Sequence, residues 1–124
     1  MATDELIEQV KEAATAVYSA LRAGYEERVY EEAMAVEFRE RDLTYEIERN
    51  TEIYYRDQKV GTHRLDFILN DALVVELKAV ASISNSHKSQ TAAYLRTLGL
   101  ERGMVVNFPY PEKDAPGFEE VTVS

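Results

Sequence analysis

The chain has 124 residues, 45% of them hydrophobic, with 14 basic against 23 acidic side chains and a formal net charge of −9. That length and apolar fraction suit one compact domain, residues 1–124, with its own core and little room for a second. The lack of cysteine excludes disulfides, thiolate chemistry and Cys-ligated zinc, and the acidic balance argues against tight, unaided binding to bare duplex DNA.

From the N-terminus, Leu6, Ile7, Val10, Ala13, Ala14, Val17, Tyr18 and Leu21 form one apolar stripe, which predicts a helix over 4–21 capped by Thr3 or Asp4. This acidic opening is unlike a secretory leader. No apolar run is long enough for a membrane span, so the cytoplasm is expected by elimination. Gly24 interrupts the pattern, and a second helix is predicted over 26–41.

The period then shortens to two. Residues 44–55 alternate and are rich in β-formers, and Arg56 to Lys59 form a polar hairpin turn. Residues 60–69 read as the next strand, with Leu65, Phe67 and Leu69 on one face and Asp66 and Ile68 on the other. After a turn at Asn70-Asp71, residues 72–80 are almost continuously apolar, as in a central strand covered on both sides. A third helix is predicted over 84–98, capped by Ser84 or Asn85 and stopped by Gly99. A buried strand follows at 104–108, then a proline-punctuated loop and an edge strand at 118–123. The order α-α-β-β-β-α-β-(β) predicts an α/β fold, a mixed sheet flanked by helices.

The chemistry concentrates in Asp66 and the run Glu76-Leu77-Lys78. Glu76 and Lys78 lie two apart on a strand and project from the same face. In an apolar central strand such charges are expensive unless paired or bound to metal. Two carboxylates on adjacent strands offer hard oxygens suited to Mg²⁺ or Mn²⁺. An internal ion pair of Lys78 with Asp66 or Glu76 accounts for the spacing equally well.

Asp66 followed by Glu76-x-Lys78 resembles the signature of the PD-(D/E)xK nuclease superfamily. Gly24-Tyr-Glu-Glu27-Arg-Val-Tyr30 matches the pattern of the GxxExxY proteins within it, and Gln90-Thr-Ala-Ala-Tyr94 is similar to the Gln-x-x-x-Tyr motif of the subgroup resembling RecB-type nuclease domains. Leu65-Asp66 replaces the Pro-Asp of the superfamily name. The resemblance runs from Gly24 to Phe108. It implies a restriction-endonuclease-like core and a divalent-metal-dependent nuclease hydrolysing phosphodiester bonds.

On that resemblance the catalytic set is Glu27, Asp66, Glu76, Lys78 and Gln90, with Asp66, Glu76 and Glu27 as metal ligands for Mg²⁺ or Mn²⁺. Arg64, Gln90, Tyr94 and His87 are the candidate substrate contacts. Glu31, one helical turn after Glu27, is the runner-up ligand, but it and Glu32 read as solvated helix charges. His63 should point away from Asp66, and Arg64 towards its face. Of Tyr54 and Tyr55, one ring should face the core and the other outward. The expected partner is DNA or RNA, not held by bulk positive charge, with a protein partner or second copy to help hold it. The alternative is a non-catalytic relative serving as a partner-binding or accessory module.

Overall fold

The computed structural model describes residues 1–124. Helix α1 (Thr3–Leu21) and helix α2 (Glu27–Glu40) are followed by strands β1 (Tyr45–Tyr55), β2 (Gln58–Leu69) and β3 (Leu73–Lys78), helix α3 (Asn85–Leu98), β4 (Arg102–Asn107) and β5 (Gly117–Thr122). The strands form one sheet in the order β1-β2-β3-β4-β5. Neighbours are antiparallel except β3 and β4, which run parallel with α3 as their crossover. No helix is long and apolar enough to cross a membrane.

The ends of the elements follow from local chemistry. The two-residue turn Arg56-Asp57, between the paired Tyr55 and Gln58, holds both residues at positive φ, the twist that suits such a hairpin; the three-residue loop Asn70 to Ala72, between the paired Leu69 and Leu73, also opens with two residues at positive φ. The cap of α3 is Ser84, whose hydroxyl accepts the His87 N–H at 3.2 Å. Gly99 ends that helix at φ +71°. Helix α1 differs from expectation: Ala2 precedes it with no side-chain cap bond. Asp4 and Glu5 instead place negative charge at the positive end of the helix dipole.

The sheet is covered on both faces. Against α1 and α2 lie Phe67, Leu69, Leu73, Val75, Leu77, Met104, Val106 and Phe108. Phe108 stacks on Tyr30, with ring centroids 4.4 Å apart. Against α3 lie Leu65, Ile68, Val74 and Val121, with Leu95 from the helix. Gly103 makes that packing possible: a Cβ there would meet Thr91 at 3.1 Å, the Val74 carbonyl at 3.2 Å and Leu95 at 3.3 Å.

One predicted face is wrong in a useful way. Leu65 shares a cluster with Ile68, while Phe67 and Leu69 belong to the opposite face. Side-chain alternation in β2 therefore slips at Asp66. The register on either side sets Glu48 of β1 opposite Asp66, and Glu48 takes φ +55°. A non-glycine residue in that region marks local strain. The two strands thus change faces together at the position of the predicted site.

Candidate active site

Strands β2 and β3 pair only over Phe67–Leu69 and Leu73–Val75. The next pair in that register is Asp66 and Glu76, and there the backbone ladder is replaced by side chains. Glu76 Oε1 accepts the Asp66 N–H at 3.3 Å, and Asp66 Oδ2 accepts the Leu77 N–H at 2.8 Å. The reciprocal bonds satisfy backbone amides that the parting strands would leave unpaired. They also lock two carboxylates face to face at the fork.

Helix α2 brings two more carboxylates. The loop before it turns at Gly24, φ +110°, a conformation that disfavours any Cβ. The buried Tyr30 donates its hydroxyl to the Arg22 carbonyl at 2.6 Å. That bond ties the loop to the helix and fixes where the first turn begins. Glu27 is the first residue of α2, close enough to Lys78 and Asp66 for both charges to act on it. The Gly24, Glu27 and Tyr30 spacing therefore has a physical sense: a turn, a projected acid and an anchor. Glu31, one turn further, is 7% exposed rather than solvated. Its carboxyl reaches those of Glu48 and Asp66.

Four acids this close cannot all ionise freely. Burial, then the Asp66 charge, pushes Glu76 up to about 8. Burial and contact with the Glu48 and Asp66 carboxyls push Glu31 up to about 8 as well. Desolvation raises Glu27, against the pull of Lys78. Glu48 is held below the usual carboxylate range by Glu31 and then Arg64. The cluster is thus short of positive charge. None of the chain's salt bridges involves Lys78, Glu27, Glu31, Asp66 or Glu76, so the internal ion pair that the spacing allowed is not formed as a direct contact.

Hard oxygen donors with unmet negative charge fit a divalent cation in chemistry. In position they are not closed around one: no three His, Asp or Glu side chains are gathered into a set that could hold a metal as they stand.

Around this core lies a polar cleft of ≈ 380 Å³ lined by Arg28, Glu31, Glu48, Arg64 and Asp66. Arg64 shares the Asp66 side, as its spacing suggests, and pairs there with Glu48. On the other side His63 stacks on Tyr94 of α3, the rings 13° from parallel. The Glu76 and Asp66 charges reinforce the upward effect of burial on the Tyr94 hydroxyl. His63 also feels Asp66 and Lys78, so it borders the site rather than standing apart. Gln90 is exposed one turn before Tyr94. His87 uses Nδ1 to accept the Ser84 N–H at 3.1 Å, a helix-capping bond that leaves only Nε2 for any ligand.

Sequence reasoning had Glu31 only as the runner-up ligand and read it as solvated, and it missed Glu48, Arg28 and the His63 edge of the site. The helical offset of four from Glu27 was a signal for Glu31. Glu48 had none, because only the register reveals its place opposite Asp66.

A family model of the PD-(D/E)XK nuclease superfamily matches residues 4–120. Among solved structures, the crystal structure of SSO0001 is similar with a TM-score of 0.61 at 22% identity, over 77% of this chain and 48% of that one. The chain thus spans about half the length of that protein, and at this identity the likeness bears on fold alone. No curated protein matches.

Proposed function

The chain belongs to the PD-(D/E)XK nuclease superfamily, and on that premise we propose that its β2–β3 fork is a divalent-metal-dependent phosphodiesterase site acting on nucleic acid. The observation that carries this reading is the reciprocal bonding of Asp66 and Glu76 where the strands part, with Glu27, Glu31 and Lys78 alongside. We further place the chain with the GxxExxY proteins, through Gly24, Glu27 and Tyr30, and read Gln90 and Tyr94 as the Gln-x-x-x-Tyr motif.

In this reading Asp66, Glu76 and Glu27 would hold a Mg²⁺ or Mn²⁺ ion, with Glu31 behind Asp66 as a further oxygen donor. Such an ion, when bound, acidifies a water and polarises the phosphoryl oxygens. Lys78 orients the attacking water and balances the charge that develops on the phosphorus oxygens. The Leu77 N–H holds Asp66 in place. Arg64 and Arg28 bind phosphates flanking the scissile bond. Gln90 and Tyr94 steady the strand from α3. His87 is assigned to the strand only through Nε2, since its other nitrogen serves the helix cap.

The test is cleavage of single-stranded, duplex and branched DNA and RNA with Mg²⁺ or Mn²⁺, beside Asp66→Ala and Glu76→Ala proteins. Cleavage by the native protein, lost at least a hundredfold in both variants, supports the assignment. Cleavage that persists in the variants, or none by the folded native protein on any substrate, counts against it.

A further inference from the structure

Past the fork, the β1–β2 hairpin runs on with only itself to pair with. Strand β3 reaches β2 no further than Phe67 in the ladder, and β1 is the edge of the sheet. From Glu48 to Tyr55 this arm extends for about 25 Å. Its composition differs from the rest of the chain. Residues 48–64 carry Arg49, Arg56, Lys59 and Arg64 against Glu48, Glu52 and Asp57, a net +1, while the remainder carries 10 basic and 20 acidic residues.

The arm also shows its aromatic rings to solvent. Tyr54 is 59% and Tyr55 63% exposed, where alternation alone put one of them in the core. Their neighbours explain it: no helix covers the tip. The Arg56 guanidinium lies over the Tyr55 ring, 5.5 Å from its centroid. Tyr54 stands opposite Lys59, and Asn50 opposite Arg64, so these cross-strand partners share a face. The row leads from the tip to Arg64, which lines the cleft with Asp66.

We propose that this arm docks the unpaired bases of a single-stranded nucleic acid and leads the strand to the fork. Exposed tyrosines are base-stacking platforms, and Arg56 beside them is in no salt bridge; Lys59 and Arg64 pair with Glu52 and Glu48 and would exchange those carboxylates for phosphates. Duplex offers no free base faces to stack. The net charge of −9 weakens any whole-surface attraction to nucleic acid, and a local basic arm resolves that conflict. The acidic body of a second copy would also complement the arm. The row ends at Arg64 on the lining of the cleft, and the choice of a nucleic-acid strand over a second copy rests on the nuclease reading of that cleft; the exposure of the arm's tyrosines does not.

The experiment is fluorescence anisotropy with a short labelled single-stranded oligonucleotide, as DNA and as RNA, and the matching duplex. EDTA is present so that nothing is cut. The native protein should bind the single strand more tightly than the duplex. Tyr54→Ala/Tyr55→Ala should weaken that binding about tenfold or more. Arg56→Ala/Lys59→Ala should flatten the slope of log Kd against log salt by about 0.7 for each lost phosphate contact. Circular dichroism confirms that the variants fold. A native protein that binds single strands through the arm in EDTA yet never cleaves them with Mg²⁺ or Mn²⁺ disproves the nuclease reading alone. No binding, a preference for duplex, or arm variants that bind like the native protein would overturn the proposal. So would a dimer by sedimentation that these variants dissociate while oligonucleotide binding is unchanged.

Discussion

The body of the sheet and its hairpin arm solve opposite problems. In the body, β3 and β4 lie between two helical layers, and nearly every side chain from Leu73 to Leu77 and from Met104 to Phe108 is buried. The arm is exposed along most of its length. Near its root, Thr51 Oγ1 and His63 Nε2 are buried with no hydrogen-bond partner, an arrangement a close-packed core rarely tolerates. Between the regions sits the fork, with Glu48 at positive φ, the slip in alternation and four crowded acids. The body supplies the stability that lets the fork hold charges which on their own would push it apart.

The comparison is broken most easily from the body. Phe108→Ala removes the ring stacked on Tyr30 and packed near Tyr18. A buried aromatic lost in this way costs about 3–5 kcal/mol. Urea unfolding should show that loss as a lower midpoint with an unchanged slope. A loss below 1 kcal/mol would mean that the α1–α2 layer is not what holds the sheet.

The fork should give a smaller effect that depends on pH. Glu76 and Glu31 both titrate near 8 when folded, well above the ordinary carboxylate value in an unfolded chain. These two groups therefore bind more protons in the folded state over this interval, and their contribution to metal-free stability is fully present below the ordinary carboxylate range and is lost as pH rises through 8. A cation competes with those protons. The rise in Tm produced by Mg²⁺ should be greater at pH 8.5 than at pH 6. An equal rise at the two pH values would show that the ion binds elsewhere.

The smallest stability effect belongs to the arm. Tyr54→Ala/Tyr55→Ala should change unfolding free energy by no more than about 0.5 kcal/mol per site, as for other exposed positions. A large drop would mean that the arm is part of the body after all.

How far the sequence foretold this division depends on how local each signal was. Periodicity, the turns at Arg56-Asp57 and Asn70-Asp71, and the Gly99 stop are local, and all eight elements lie within a few residues of expectation. Glu76 and Lys78 were legible as neighbours on one face because strand parity holds within β3, and Asp66 through its place on the preceding strand. Parity failed in β2, where the slip at Asp66 moves Leu65 to the other face. The burial of Glu31 and the place of Glu48 depend on how α2 and β1 meet that slip, which no local window contains. The exposure of both Tyr54 and Tyr55 follows from the lack of any covering layer, again a tertiary fact.

The central claim is that the fork gathers carboxylates for a cation rather than for an internal ion pair, and thermal unfolding of Glu76→Gln beside the native protein tests it most directly. In EDTA at pH 8.5 the variant loses a buried, crowded negative charge, so its Tm should exceed that of the native protein by several degrees. Mn²⁺ should then raise the native Tm and leave the variant's almost unmoved. If Glu76 instead served Lys78 as a structural partner, the variant would strand the lysine and melt lower, and Mn²⁺ would shift neither protein; that result would contradict the account.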